Sequence, residues 1–314
     1  MFQTILEDIR KHDRIIIHRH EHPDGDAIGA QVGLKHLILD NFPEKQVYMV
    51  GDPAGRYAFM DDSTMDEIPD SFYKGALAFV LDLSAHHLVA DKRYTMAEKT
   101  IRIDHHISGP EPFCDLELVD TSYESASGLI AQMAQDLGLT IGTVAARSFY
   151  TGMVTDSGRF RYDSTSPRTM RLAAMLMERN IDCGTIFENL YSVDFEEVRI
   201  RAQFTARIQL TEHRVAYLYN DLALVNSLPL DTFSISRGMV SLMADLKGVE
   251  IWVNFTETDQ GTVLCELRSS RHNINPIAVK YGGGGHKKAS GATLPDRETA
   301  MAMLADLDEM MIGE

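Results

Sequence analysis

Four short segments bring together residue types that hold divalent cations. His18-Arg19-His20-Glu21-His22-Pro23-Asp24-Gly25-Asp26 follows the apolar run Ile15-Ile16-Ile17, and Asp82 follows Ala78-Phe79-Val80-Leu81. Asp104-His105-His106 follows Ile101-Arg102-Ile103, and Thr155-Asp156-Ser157-Gly158 closes a helical pattern. Carboxylates and imidazoles without thiolates suit Mn²⁺ or Mg²⁺ and, less exclusively, Zn²⁺. So many acids in one crevice would repel one another unless cations sat between them. With ligands enough for two ions, the chemistry indicated is displacement at phosphorus. Paired ions ~3.5–4 Å apart can hold an attacking hydroxide and stabilise the charge that develops.

Each segment alone has an ordinary explanation. Pro23-Asp24-Gly25-Asp26 could be a turn, Asp82 a helix N-cap, and Asp156 before Gly158 a helix end. With 12 histidines in the chain, composition alone gives roughly 0.4 His-His pairs. A second pair, His86-His87, reads as helix surface. The weight lies in the set of four, three of which stand at strand ends.

A different signal lies near the C-terminus. Tyr281-Gly282-Gly283-Gly284-Gly285-His286-Lys287-Lys288 joins four glycines to basic side chains. Bare glycine backbone lets amides approach an anion closely. Upstream, Leu267-Arg268-Ser269-Ser270-Arg271 places guanidinium groups near a strand end, and arginine matches phosphate bidentately. Acidic groups therefore cluster in the first part of the chain and phosphate-binding groups in the last. One domain would do metal chemistry, the other would grip an anion, and the cleft between them would be the active site.

The elements that position these residues follow from periodicity. Apolar runs at Arg14–His18, Gln46–Val50, Ala76–Leu81 and Thr100–Ile103 read as buried strands. Helical patterns occupy Ala27–Asn41, Ser125–Leu137, Val144–Thr155, Pro167–Asn180 and Ile186–Tyr191. This alternation predicts βαβ units and a mostly parallel sheet flanked by helices. In such sheets ligands bind beyond the carboxyl ends of the strands, so the clusters would converge. Phe195–Leu210 has few breakers and many charges, and reads as a helical linker. Beyond it, strands are expected at Val215–Leu218, Val249–Phe255 and Thr262–Leu267. Helices are expected at Ser236–Lys247, Pro276–Tyr281 and Glu298–Met310. The expected organisation is an α/β domain over 1–190, a linker over 191–211 and a smaller α/β domain over 212–314.

The remaining composition narrows the function. The 314 residues carry 30 basic and 46 acidic side chains, a net charge of −16, which argues against a partner as large as long DNA or RNA. Hydrophobic residues at 44% and charged residues at 24% are ordinary for a globular protein and argue against disorder. The three scattered cysteines, Cys114, Cys183 and Cys265, argue against a disulfide framework or zinc ribbon. Met1–Arg14 lacks the apolar core of a signal peptide, and no stretch approaches the ~20 apolar residues of a membrane helix. A cytoplasmic protein with no membrane partner is expected.

The whole set, in its order and spacing, resembles the DHH-family phosphoesterases that carry a DHHA1 domain, of the oligoribonuclease (nanoRNase)/pAp phosphatase type. The match runs from His20-Glu21-His22-Pro23-Asp24-Gly25-Asp26-Ala27-Ile28-Gly29 through Asp82, Asp104-His105-His106 and Thr155-Asp156-Ser157-Gly158 to Arg268-Ser269 and Gly282–His286. The resemblance implies two Mn²⁺ ions per chain, with Mg²⁺ or another divalent cation as substitutes. One ion would be held by His20, Asp24 and Asp82, the other by Asp26, Asp82, His105 and Asp156, with Asp82 shared. His18 is an extra histidine beside the ligand position, and the four-residue step to Asp24 favours His20. The resemblance also makes His106 a catalytic donor to the phosphate and Asp104 the carboxylate that orients a histidine. Arg268, Ser269, Gly283, Gly284, Gly285 and His286 would bind the substrate's terminal phosphate or nucleotide. Ala30 stands where many relatives carry serine.

The implied activity is hydrolysis of short oligoribonucleotides, linear dinucleotides such as pApA, or 3′-phosphoadenosine 5′-phosphate (pAp). A cyclic-dinucleotide phosphodiesterase and a non-catalytic nucleotide-binding protein on the same fold are the alternatives. Retention of all the metal-binding residues disfavours the second. The resemblance allows both a monomer and a homodimer.

Overall fold

The computed structural model describes residues 1–107 and 111–312. The chain divides into two compact units, Met1–Ser192 and Val193–Glu314.

In the first unit the order is α1 (Phe2–Lys11), β1 (Arg14–Arg19), α2 (Gly25–Asn41), β2 (Gln46–Met49), β3 (Leu77–Leu81), β4 (Lys99–Asp104) and β5 (Leu116–Val119). Four helices follow: α3 (Ala126–Asp136), α4 (Thr143–Asp156), α5 (Pro167–Met177) and α6 (Cys183–Tyr191). The five strands form one all-parallel sheet in the order β2-β1-β3-β4-β5. Alternate strand residues serve two faces. Ile15, Ile17, Leu77, Phe79, Leu81, Ile101 and Ile103 pack with residues of the helices. Ile16, Ala78 and Val80 pack beneath the loops and short 3₁₀ turns, with Ile68, Tyr73, Leu83, Val89 and Tyr94.

Two features of this unit place functional side chains. The first is register. Arg19 pairs with Leu81, and Leu81 with Ile103. The residues that follow, His20, Asp82 and Asp104, therefore stand at one level of the sheet's carboxyl edge. The second is the crossing of α2 and α4. A side chain on Gly29 would lie 2.6 Å from the Ser148 carbonyl oxygen, and one on Gly152 would lie 2.7 Å from Asp26 Oδ1. Both contacts require glycine. The close approach brings Asp26, near the start of α2, alongside the last turn of α4, which ends in Asp156.

The second unit contains α7 (Phe195–Thr205), β6 (Gln209–Leu210), β7 (Ala216–Asn220), α8 (Leu222–Asn226), α9 (Thr232–Met239), β8 (Ile251–Glu257) and β9 (Val263–Ser269). It ends with α10 (Asn275–Lys280), β10 (Gly284–His286), β11 (Ala289–Leu294) and α11 (Arg297–Glu309). Its mixed sheet runs β10-β11-β9-β8-β7-β6, with only β7 and β8 parallel. Ile251, Val253 and Phe255 pack with α10 and α11 residues on one face. Trp252 packs with residues of α7 and α9 on the other.

Several expectations are corrected. The helix expected over Phe195–Leu210 stops at Thr205, and Gln209–Leu210 is an edge strand antiparallel to β7. Pairing with the sheet overrides the helical pattern there. Within 191–211, Ile200 and Phe204 are buried among Ala216, Leu218, Val240 and Trp252 of the second unit. The helix expected over Ser236–Lys247 begins earlier, at Thr232, because the Asp231 carboxylate accepts from the Ser234 amide and caps it. The glycine run is not a loop throughout: Gly284–His286 is a strand paired with Ala289–Gly291. Helices α1 and α8 and strands β5, β10 and β11 were not expected from the sequence.

Candidate metal centre

The site is assembled from strand and helix ends. Asp24 is the N-cap of α2, where its Oδ1 accepts from the amides of Asp26 and Ala27 at 3.0 Å each. His20 receives a fixed orientation because its Nδ1 lies 2.7 Å from the Glu21 carbonyl. Its Nε2 then faces Asp82 Oδ2 at 3.7 Å and Asp24 Oδ1 at 3.8 Å.

Asp26 is buried against the start of α3. Its Oδ2 accepts from the Ala126 amide at 2.7 Å and its Oδ1 from the Ser127 amide at 3.0 Å. These are free amides of a first helical turn, the natural seat of an anion. Asp156, the last residue of α4, stands 3.3 Å from His105 Nε2 through its Oδ2. The same His105 nitrogen lies 3.4 Å from Asp82 Oδ1 and 3.9 Å from Asp26 Oδ2. His105 Nδ1 lies 3.3 Å from the Tyr123 carbonyl, to which it can donate, and this orients the ring with Nε2 toward the acids.

Asp82 occupies the middle. It sits just beyond β3 with φ +60°, a left-handed conformation unusual outside glycine. Asp104 lies just outside this group and is fully buried. Its Oδ1 accepts from the amides of His105 and His106 at 2.8 and 3.1 Å and stands 2.8 Å from His106 Nδ1. Its Oδ2 accepts from Arg102, itself buried and bonded to Leu83 O and Glu117. His106 is thus fixed through Nδ1, while its side chain is 47% exposed.

The electrostatics of the group are strained. Burial works against charge on His20, but Asp24 and Asp82 outweigh it and push its pKa up to about 10. His105 is likewise raised to about 10, against burial, by Asp82, Asp26 and Asp156. Asp82 is held well below the usual carboxylate range by His105 and His20, despite its burial. Burial, reinforced by Asp82 and Asp24 against the pull of His105, lifts Asp156 to about 7. Burial and repulsion from Asp82 and Asp156 raise Asp26 well above its ordinary value. Added positive charge would relieve these conflicts.

A divalent cation fits the residues present. Asp82 Oδ1 and His105 Nε2 are buried and have no hydrogen-bond partner among the described residues, and such atoms are costly unless something satisfies them. Three groups have ligand atoms within 4.8 Å of one another: His20, Asp24, Asp82; Asp26, His105, Asp156; and Asp82, His105, His106. All six expected ligands therefore meet in one cluster. His18 does not join it. It is buried between Tyr73 and Tyr94, with Nδ1 3.1 Å from the Asp91 carbonyl.

The expected phosphate-binding residues fall in the second unit. Arg268, Gly284, Gly285 and His286 line a cavity of about 440 Å³ together with Arg237 and Glu266. Arg268 donates to Glu266 Oε2 at 3.0 Å. Gly285 has φ +131°, and a side chain there would lie 2.6 Å from the Ala289 carbonyl, so the tight hairpin itself demands glycine. Gly283 lines a neighbouring cavity of about 390 Å³ with Phe233 and Gly291. Ser269 lines neither. Its Oγ accepts from the amides of Arg271 and His272 and stabilises the turn after β9.

Sequence reasoning missed the supports of the site. The α3 amides beneath Asp26 lie a hundred residues away, and no local pattern reveals them. Arg102 carried a readable signal: an arginine inside an apolar strand, two residues before Asp104 and so on the same face.

Comparison with known proteins is consistent with this geometry. Residues 14–153 match the DHH family, N-terminal domain, and residues 224–313 match the DHHA1 domain. The bifunctional oligoribonuclease and PAP phosphatase NrnA of Bacillus subtilis is 32% identical, covering 99% of this chain and 98% of its own. A Streptococcus mutans protein, described as a probable bifunctional oligoribonuclease and PAP phosphatase NrnA, is 34% identical, with 93% of each chain covered. An exopolyphosphatase-related protein from Bacteroides fragilis shares the fold, with a TM-score of 0.83 at 24% identity over 98% of this chain and 95% of its own. No helix among the described residues is long and apolar enough to cross a membrane. On full-length similarity and both domain matches, the chain belongs to the metal-dependent DHH phosphoesterases, as a member that carries a DHHA1 domain.

Proposed function

We propose that the protein hydrolyses short oligoribonucleotides, linear dinucleotides such as pApA, and pAp, using two divalent cations, with Mn²⁺ as the favoured ion. His20, Asp24 and Asp82 would hold one, and Asp26, Asp82, His105 and Asp156 the other. The supporting observation is that all six side chains meet at one sheet edge around the unpartnered atoms of Asp82 and His105. The full-length relatives named above extend that chemistry to short RNA and pAp as substrates.

Bound divalent ions supply a water of lowered pKa and neutralise charge on a phosphoryl group. The chain supplies the rest. Asp104 accepts from His106 Nδ1 and fixes the ring, and in this reading the imidazole would donate from Nε2 to a phosphoryl oxygen in the transition state. The hydrogen bond to the Asp104 carboxylate raises the His106 pKa above its ordinary value, with burial opposing it. In the second unit, Arg268, His286 and the amides of the β10 hairpin would bind a second phosphate or the nucleotide.

The test is a competition assay on Mn²⁺-loaded protein with equimolar pAp, pApA and a short RNA, each product resolved by ion-pair chromatography. Release of AMP and phosphate from pAp, and of mononucleotides from pApA and RNA, is expected. Absence of turnover of all three, with Mn²⁺ bound, would overturn the reading.

A further inference from the structure

Arg19 is a buried guanidinium whose hydrogen bonds, among the described residues, go to neutral oxygens. Its Nε donates to Gln31 Oε1 at 2.9 Å, its Nη1 to the His20 carbonyl at 3.1 Å, and its Nη2 to the Asp52 carbonyl. Gln31 is equally buried, and its amide donates to the carbonyls of Ile17 at 2.7 Å and Val50 at 3.0 Å. One network thus joins the end of β1, the start of α2 and the segment after β2. Asp52 returns to the same place from outside, accepting from the His22 amide through Oδ2 at 2.9 Å.

A buried charge without a bonded carboxylate is expensive to keep. A hydrophobic side chain would fill the same volume more cheaply if packing were the only need. What the network holds is the irregular segment His20-Glu21-His22-Pro23, which includes His22 at φ +51° and leads directly to Asp24. The opposite side of that segment is held by strand-like backbone bonds, Ala90 N to Arg19 O and Glu21 N to Leu88 O.

The other ligands have separate supports. Asp26 rests on the α3 amides, His105 on the Tyr123 carbonyl, and Asp156 on the last turn of α4. We propose that Arg19 and Asp52 are positioning residues for His20 and Asp24, the two ligands of the first ion that the second does not share, and leave the Asp26–His105–Asp156 group untouched. The proposal rests on the two-ion reading above.

The test is a Mn²⁺ titration of the full chain, following free Mn²⁺ by electron paramagnetic resonance, with thermal melts and circular dichroism to check folding. Wild type is expected to bind two ions. Arg19→Met, which keeps bulk and removes the donors, should keep only one ion of wild-type affinity. Asp52→Ala removes only the outer contact and should weaken one of the two ions by about 10- to 100-fold, the usual effect of losing a ligand's support. If Arg19→Met fails to fold, Asp52→Ala decides alone. Two ions of unchanged affinity in the folded variants, or equal weakening of both, would overturn the proposal. A wild-type protein that binds one ion or none would instead overturn the two-ion reading beneath it.

Discussion

Asp82 Oδ1 lies 3.4 Å from His105 Nε2, and both atoms are buried with no hydrogen-bond partner among the described residues. On its other oxygen Asp82 faces His20 Nε2 at 3.7 Å. One carboxylate thus looks into two groups of ligands whose remaining members come from different elements: α2 with the segment before it, the end of β4, and the end of α4. Asp82 thus faces His20 on one side and His105 on the other, one oxygen toward each.

Replacing Asp82 should therefore be more damaging than replacing a ligand of one group. In Asp82→Ala, turnover of pApA and pAp should fall by at least roughly 10²–10³-fold, the scale of losing a group that stabilises transition-state charge. Mn²⁺ titration should show both binding events weakened. Near-normal turnover in a folded Asp82→Ala protein would contradict the shared role.

The metal-free protein should lose stability as pH rises. A group whose pKa is raised by folding stabilises fully below its ordinary value and loses that contribution as pH passes through the folded value. For Asp156 the window runs from 3.8 to about 7, and for His20 and His105 from 6.5 to about 10. Asp26 acts in the same sense as Asp156. Asp82 has the opposite sign, and its contribution is lost only below the usual carboxylate range. Melting curves in chelator should show Tm falling between pH 5 and 9. The Tm gain on adding Mn²⁺ should widen over the same range.

Asp156→Asn separates stability from activity. It removes a carboxylate that burial and its acidic neighbours disfavour. The metal-free variant at pH 8 should melt about 2–4 °C higher, the shift expected for roughly 1 kcal/mol in a domain of this size. Mn²⁺ should raise its Tm less than it raises that of the wild type, and hydrolysis should be lost.

Asp104→Asn addresses His106. The Asp104 carboxylate raises the His106 pKa, with burial opposing it. In the variant the alkaline limb of the kcat/KM profile should move to lower pH, because His106 gives up its proton sooner. His106→Ala should lower kcat while the protein still binds two Mn²⁺. Loss of an ion in His106→Ala would make His106 a ligand instead of a donor.

Arg268→Ala tests the second unit. Removing one charge-assisted hydrogen bond to phosphate, worth about 1.5–3 kcal/mol, should lower kcat/KM by about 10- to 100-fold. Mn²⁺ affinity should be unchanged. A loss of metal would show that the division of roles between the two units is wrong.

Much of the first unit was legible because buried parallel strands are uniformly apolar and their ends are abruptly polar. Ile15-Ile16-Ile17 before His20, and Phe79-Val80-Leu81 before Asp82, mark both the strand and the place where it stops. Helix α1 is an exception of another kind, since Ile5, Leu6 and Ile9 give it a buried face at helical spacing, a signal the sequence carried. Strand β5 is a four-residue edge with mixed exposure, too short for periodicity to register. The glycine hairpin escaped because glycine carries no strand preference, and its pairing with β11 shows only in three dimensions. The same holds for the supports of the site. Ala126 and Ser127 beneath Asp26, and Gln31 beside Arg19, are joined to their partners by folding and not by spacing.

The most direct test of the central claim is a crystal structure of the protein grown with Mn²⁺, with an anomalous difference map measured at the manganese edge. The account predicts two peaks ~3.5–4 Å apart, both within ligand distance of Asp82, one beside His20 and Asp24 and the other beside Asp26, His105 and Asp156. A single peak, or two peaks that do not share Asp82, would contradict it.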